Sequence, residues 1–132
     1  MSDDFKYKYK PKKYLYNGIS FDSGLEFIFY LYHKQRKTNI TRIEIGKSYN
    51  DGILYFDPIK NRRKLWFPDF KIITETDSVL YVEIKPSRSL KYPINVAKRS
   101  ANPKVLWVTE KEIDLMKPLI KTNIHRYLVK EK

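Results

Sequence analysis

Between residues 20 and 40 the apolar positions fall at helical spacing. Leu25, Ile28, Phe29 and Tyr32 share one face, which predicts a helix over about 23–36. Lys34, Arg36 and Lys37 crowd its C-terminal end, where cations suit the macrodipole. Asn17-Gly18 ahead of it is a turn signal. After Thr38-Asn39 the period changes to two. ITRIEIGKSY alternates in part, and Asp51-Gly52 predicts a hairpin that leads into ILYFD. NRRKLWFPDFKII reads as the next strand, TETDS as a turn and VLYVEIK as a further strand. Residues 40–85 thus predict an antiparallel meander, which PSRSLKYP breaks with prolines at 86 and 93. INVAKRSAN is a short helix that ends at or before Asn102-Pro103. KVLWVT is a buried strand, EKEIDLMKPLI a short helix with Pro118 near its end, and IHRYLV a last short strand. The expected fold is a single α/β (α+β) domain: a mixed central β-sheet flanked by helices.

The first 17 residues read differently. KYKYKPKKY alternates basic and aromatic residues, as a tail or an edge strand; Pro11 disfavours a central strand. We therefore expect a basic N-terminal arm over 1–17, with Lys12 and Lys13 as phosphate contacts, and a domain over 18–132. Charge strengthens that expectation: the chain of 132 residues carries a net +12. An excess this large points to a polyanion, with nucleic acid ahead of an acidic membrane surface. No segment has the length of a transmembrane helix or the apolar core of a signal peptide, and there is no cysteine, so the expected compartment is cytoplasmic. His33 and His125 have no short metal-ligand spacing, which disfavours a zinc site.

The charged residues of FPDFKIITETDSVLYVEIK suggest chemistry. Glu83 and Lys85 share a strand face, and Asp69 closes the apolar run before them. Phosphodiester hydrolysis needs an activated water and neutralisation of a negative transition state. Magnesium held by two or three oxygen ligands supplies both, and an adjacent lysine orients the water or a nonbridging phosphate oxygen. Asp69 and Glu83, with the backbone carbonyl of Ile84, fit the ion; Lys85 fits the second task. In a lysine-rich chain Glu-x-Lys alone carries little weight, so its context decides. Ser87, Arg88 and Lys91 follow the lysine and are candidate phosphate contacts, as are Arg62 and Arg63 on a turn and Lys98 and Arg99 on the second helix. For Arg62 and Arg63 a turn's surface charge is the rival reading, and for Lys98 and Arg99 a solvated helix face. Trp66 and Trp107 lie in apolar strands and are expected in the core.

The tract resembles the PD-(D/E)XK nuclease superfamily, with PDF (68–70) and EIK (83–85) as its two signature pieces. FDS-x-LE before them is similar to small phage and transposon-type endonucleases of that superfamily. The resemblance implies a restriction-endonuclease-like core and a metal-dependent endodeoxyribonuclease selective for some DNA structure, such as a branch or junction. It implies Glu26, Asp69, Glu83 and Lys85 as catalytic residues, and Mg2+ (Mn2+ able to substitute) on Asp69, Glu83, Ile84 and Glu26. It further implies duplex or branched DNA as substrate, a homodimer for cutting two strands, and the host cytoplasm for a phage-derived chain. Ser23-x-x-Glu26 is also a capping box, which accounts for both residues without catalysis. The alternative function is a noncatalytic basic nucleic-acid-binding protein.

Overall fold

In the computed structural model, residues 12–43 and 49–130 are described. The chain is a mixed α+β protein. Its strands are β1 (Tyr14–Tyr16), β2 (Ile19–Phe21), β3 (Asn39–Arg42), β4 (Ile53–Asp57), β5 (Arg62–Trp66), β6 (Phe70–Ile73), β7 (Val79–Ile84) and β8 (Leu106–Val108). Three α-helices occur among the described residues: α1 (Gly24–Gln35), α2 (Pro93–Ala101) and α3 (Glu110–Met116). The central sheet has the order β3-β6-β7-β8, antiparallel except for the parallel β7–β8 pair. β1–β2 and β4–β5 are separate two-stranded hairpins.

The helical spacing places α1 where the sequence predicts it. Ser23 caps it by accepting from the Glu26 amide at 3.2 Å. One face of α1 (Phe27, Ile28, Leu31) joins Phe21, Phe70, Ile72, Val82 and Ile84 in an aromatic-rich core. Phe70 is fully buried there, with ring centroids of Phe29 at 5.3 Å and Tyr30 at 6.2 Å. Strand alternation sends Val82 and Ile84 to this core and Tyr81 and Glu83 to the opposite face. There a second cluster of Tyr55, Trp66 and Val105, with Trp107 against it, joins the β4–β5 hairpin to α2.

Three sequence expectations are corrected. Asp51-Gly52 does not turn a hairpin: β3 pairs with β6, and Asp51 lies in a 3₁₀ turn (Tyr49–Asp51). The true hairpin turn is 58–61, where Asp57 accepts from the amides of Ile59 (2.8 Å) and Lys60 (3.1 Å) and Asn61 takes φ 53°. The 40–85 meander is therefore interrupted by a hairpin. NRRKLWFPDFKII is two strands in two sheets: β5 ends at Trp66 and β6 begins at Phe70, with Pro68, which has no amide to donate to a ladder, between them. IHRYLV is mostly a 3₁₀ turn (Ile124–Tyr127), capped by the Asn123 side chain accepting from the His125 amide at 3.2 Å; of the expected strand only an antiparallel bridge of Leu128 to Tyr14 remains. Of the arm, the edge-strand reading holds for Tyr14–Tyr16, where Tyr14 is buried in the core; residues 1–11 and 44–48 lie outside those described. Among the described residues no helix is long and apolar enough to cross a membrane.

Candidate active site

The carboxyl ends of β7 and β8, the start of β6 and the end of β3 meet at one edge of the sheet. Register fixes this, since Arg42 opposes Phe70, Phe70 opposes Val82 and Ile84 opposes Val108. In sheets of this kind ligands gather at the carboxyl ends of parallel strands. Pro68 ends the β5 excursion and delivers Asp69 to that edge. Its carboxylate Oδ2 accepts from the Ile84 amide at 2.7 Å, and its own amide donates to Glu83 Oε1 at 3.1 Å. Asp69 and Glu83 are thereby locked together across the β6–β7 hairpin. Lys85 Nζ stands 3.8 Å from Glu83 Oε2.

Glu26 comes from the other face of the sheet, on the first turn of α1. Its Oε2 accepts from the Ser23 hydroxyl at 3.0 Å, completing the capping interaction. Its Oε1 is buried and accepts no aligned hydrogen bond; it meets Arg42 Nη2 at 3.0 Å as an ion pair. Asp69 is thus the hub, with Glu26 on one side of the sheet and Glu83 on the other.

The electrostatics follow from burial. Glu26 is pushed up to about 8, first by desolvation and then by the Asp69 charge, against the pull of Arg42 and Ser23. Glu83 is likewise pushed up to about 8 by burial and by Asp69, while Lys85 and Lys98 favour its charged form. Lys98 is lowered by burial and by Lys85, with Glu83 and Asp69 opposing. Its Nζ lies 5.6 Å above the rings of both Tyr55 and Trp66, so α2 and the hairpin hold it beside the acids.

These shifts set a pH dependence. Both carboxyls keep their protons in the folded chain after the unfolded chain has released them, so the folded state binds more protons and stability falls as pH rises. The loss is expected from about pH 5 to about pH 8, between the ordinary and the raised values. Melting temperatures in chelator across that range check it, and Glu83→Gln should flatten the curve. A curve that rises over the same range would contradict this account.

The remaining candidates divide. Lys12, Ile84, Lys85, Ser87 and Arg88 line one cleft of about 810 Å3 together with Glu26 and Asp69. Ser87 is fastened by Glu110, whose carboxylate accepts from the Ser87 amide at 2.6 Å and hydroxyl at 2.5 Å. Lys13, Arg62, Arg63 and Lys91 are exposed and do not line that cleft. Arg99 donates to the Leu90 carbonyl and sits 5.9 Å over Trp107, a structural engagement. Trp66 is buried and Trp107 packs beside it at 5.5 Å, as expected.

Sequence reasoning missed Arg42. Its signal was present: in a strand it shares a face with buried Ile40, and a cation on a core-facing position needs counter-charges. The donor set suits a hard cation in kind, being carboxylate oxygens with one of them buried and unpaired by any hydrogen bond. As placed, no three acid or imidazole groups among the described residues stand close enough to share an ion. No protein family, no curated protein and no solved structure matches the chain.

Proposed function

We propose that the chain is a metal-dependent endodeoxyribonuclease built on a restriction-endonuclease-like core of α1, β3, β6, β7, α2 and β8. The observation that carries this reading is the Asp69–Glu83 lock with Lys85 beside it, at one edge of a strongly basic chain. Asp69, Glu83 and the Ile84 carbonyl would hold Mg2+ or Mn2+, with Glu26 in support. Such an ion neutralises the phosphorane-like charge and acidifies its water. Lys85 orients the attacking water or holds a nonbridging oxygen, and Asp69 is kept in place by the Ile84 amide. Lys98 adds a second ammonium on the Glu83 side. Lys12 and Arg88 at the cleft, with Arg62, Arg63 and Lys91 outside it, supply backbone affinity that weakens steeply with salt. A chain this small covers little duplex, so cutting both strands calls for a symmetric pair.

The test is incubation of the purified protein with supercoiled, linear and four-way-junction DNA, with Mg2+, with Mn2+ and with chelator. Metal-dependent nicking or cutting is the expected result. Binding without cutting of any substrate would favour a noncatalytic nucleic-acid-binding protein instead.

A further inference from the structure

Arg42 has no part in the chemistry above, yet it sits at the centre of the acids. Its side chain is 11% exposed. Nη2 lies 3.0 Å from Glu26 Oε1 and 3.4 Å from Asp22 Oδ2. Nη1 lies 3.4 Å from Asp69 Oδ1 and donates to the Asp69 carbonyl at 3.1 Å. Nε donates to the Ser20 carbonyl at 3.5 Å, and the guanidinium stands 5.7 Å over the Phe70 ring. A planar fork with five donors is suited to span several oxygens at once.

Two consequences follow. Without Arg42, the Asp69 carboxylate and the buried Glu26 carboxyl, with exposed Asp22 beside them, would face one another with no cation, which is costly where the site is shielded from water. With Arg42 in place, the oxygens that Glu26 and Asp69 turn toward the cluster are both occupied by the guanidinium. A magnesium ion bound at its usual distance of about 2.1 Å from such oxygens would overlap that volume and repel that charge.

We propose that Arg42 is an exchangeable internal counter-ion of the acidic cluster. While no divalent cation is bound, it pairs with Asp69 and Asp22 and occupies the inward oxygen of Glu26. It withdraws from Glu26 and Asp69 when one binds, and the released guanidinium, whose partners Asp22, Glu26 and Asp69 line the cleft, then meets a phosphate oxygen of bound DNA. The apparent metal affinity is therefore the intrinsic affinity reduced by the fraction of molecules in which Arg42 holds the acids. DNA, by giving Arg42 an alternative anion, tightens metal binding. This inference rests on the nuclease reading of the same acids.

The experiment is Mn2+ binding to wild type, Arg42→Gln and Arg42→Lys, read by electron paramagnetic resonance of free Mn2+ without DNA, alongside melting in chelator. Arg42→Gln is expected to bind Mn2+ about tenfold tighter or more, the scale of one lost competing charge-assisted contact. It should also melt lower in chelator and regain more on adding Mn2+ than wild type does. Arg42→Lys should fall between. Unchanged or weaker Mn2+ binding in Arg42→Gln, with wild type binding Mn2+ and cutting DNA, overturns the counter-ion and leaves the nuclease standing. Absence of Mn2+ binding in every variant overturns both. Should Arg42→Gln not fold, guanidinium nuclear magnetic resonance of wild type decides. Mg2+ should shift the Arg42 signal and speed its proton exchange; an unmoved Arg42 signal while the Asp69 and Glu83 amides shift overturns the proposal.

Discussion

Asp69→Asn is expected to lower DNA cleavage by about 10³-fold or more, the range lost when charge stabilisation or general catalysis at a site is removed. Lys85→Ala should lose about 10²- to 10³-fold. The two differ in what else they disturb. Asp69 accepts from the Ile84 amide and pairs with Arg42, so its amide variant also loosens the sheet edge. Lys85 is about one-third exposed and touches Glu83 at 3.8 Å, so its removal should leave the fold intact. Single-turnover cleavage with melting curves on the same preparations separates the two causes. Cleavage that survives both substitutions at full rate would remove these residues from the site.

Phe70→Ala is expected to be the most damaging single change to the fold, at about 3–5 kcal/mol. Phe70 is fully buried and touches the rings of Phe21, Phe29 and Tyr30 from the strand that opposes β3 and β7. Truncation leaves a cavity between helix and sheet that rigid aromatic neighbours cannot fill. Against a typical domain stability of about 5–15 kcal/mol this is a large fraction, and melting should fall by roughly 10–20 °C. Denaturant unfolding monitored by circular dichroism measures it. A cost below about 1 kcal/mol would mean that the core is centred elsewhere. Because Phe70 follows Asp69, milder variants such as Phe70→Leu should lose cleavage faster than stability.

How much of this was readable in the chain depended on the range of the interactions. α1 was legible because its apolar spacing and its Ser23 cap are local. The pairing of the strand after Asp69 with the strand carrying Glu83 was legible because the TETDS turn is also local; that turn closes with the Thr74 amide donating to the Ser78 carbonyl at 2.9 Å. The β4–β5 excursion was not. Its turn contains no glycine, and Asp57 directs it by a side-chain contact that a dipeptide signal misses. Asp51-Gly52 resembled a hairpin, but Asp51 is instead taken up by long-range partners: the Tyr81 hydroxyl at 2.7 Å and Lys71 at 3.2 Å. The site divided the same way. Asp69, Glu83 and Lys85 were readable as a motif. Arg42 was not, because its partners come from α1 and β6 and only the folded sheet brings them around it.

The place where the hairpin leaves the sheet has an architectural meaning. Arg42 and Phe70 are register partners, so the chain departs from the central sheet and returns to it at nearly the same point. Between them the β4–β5 hairpin (Ile53–Trp66) is an inserted module on the four-stranded scaffold. Its outer face and tip, with Leu54, Phe56, Ile59 and Leu65 exposed, carry no duty in holding that scaffold. Its base, where Trp66 packs with Tyr55 and Val105 and underlies Lys98, does bear on the site. The outer half can therefore be lengthened, shortened or exchanged at the modest entropic cost of loop closure, whereas the base is tied to the site. Variation in this chain should concentrate at the tip of the module and stop at Trp66.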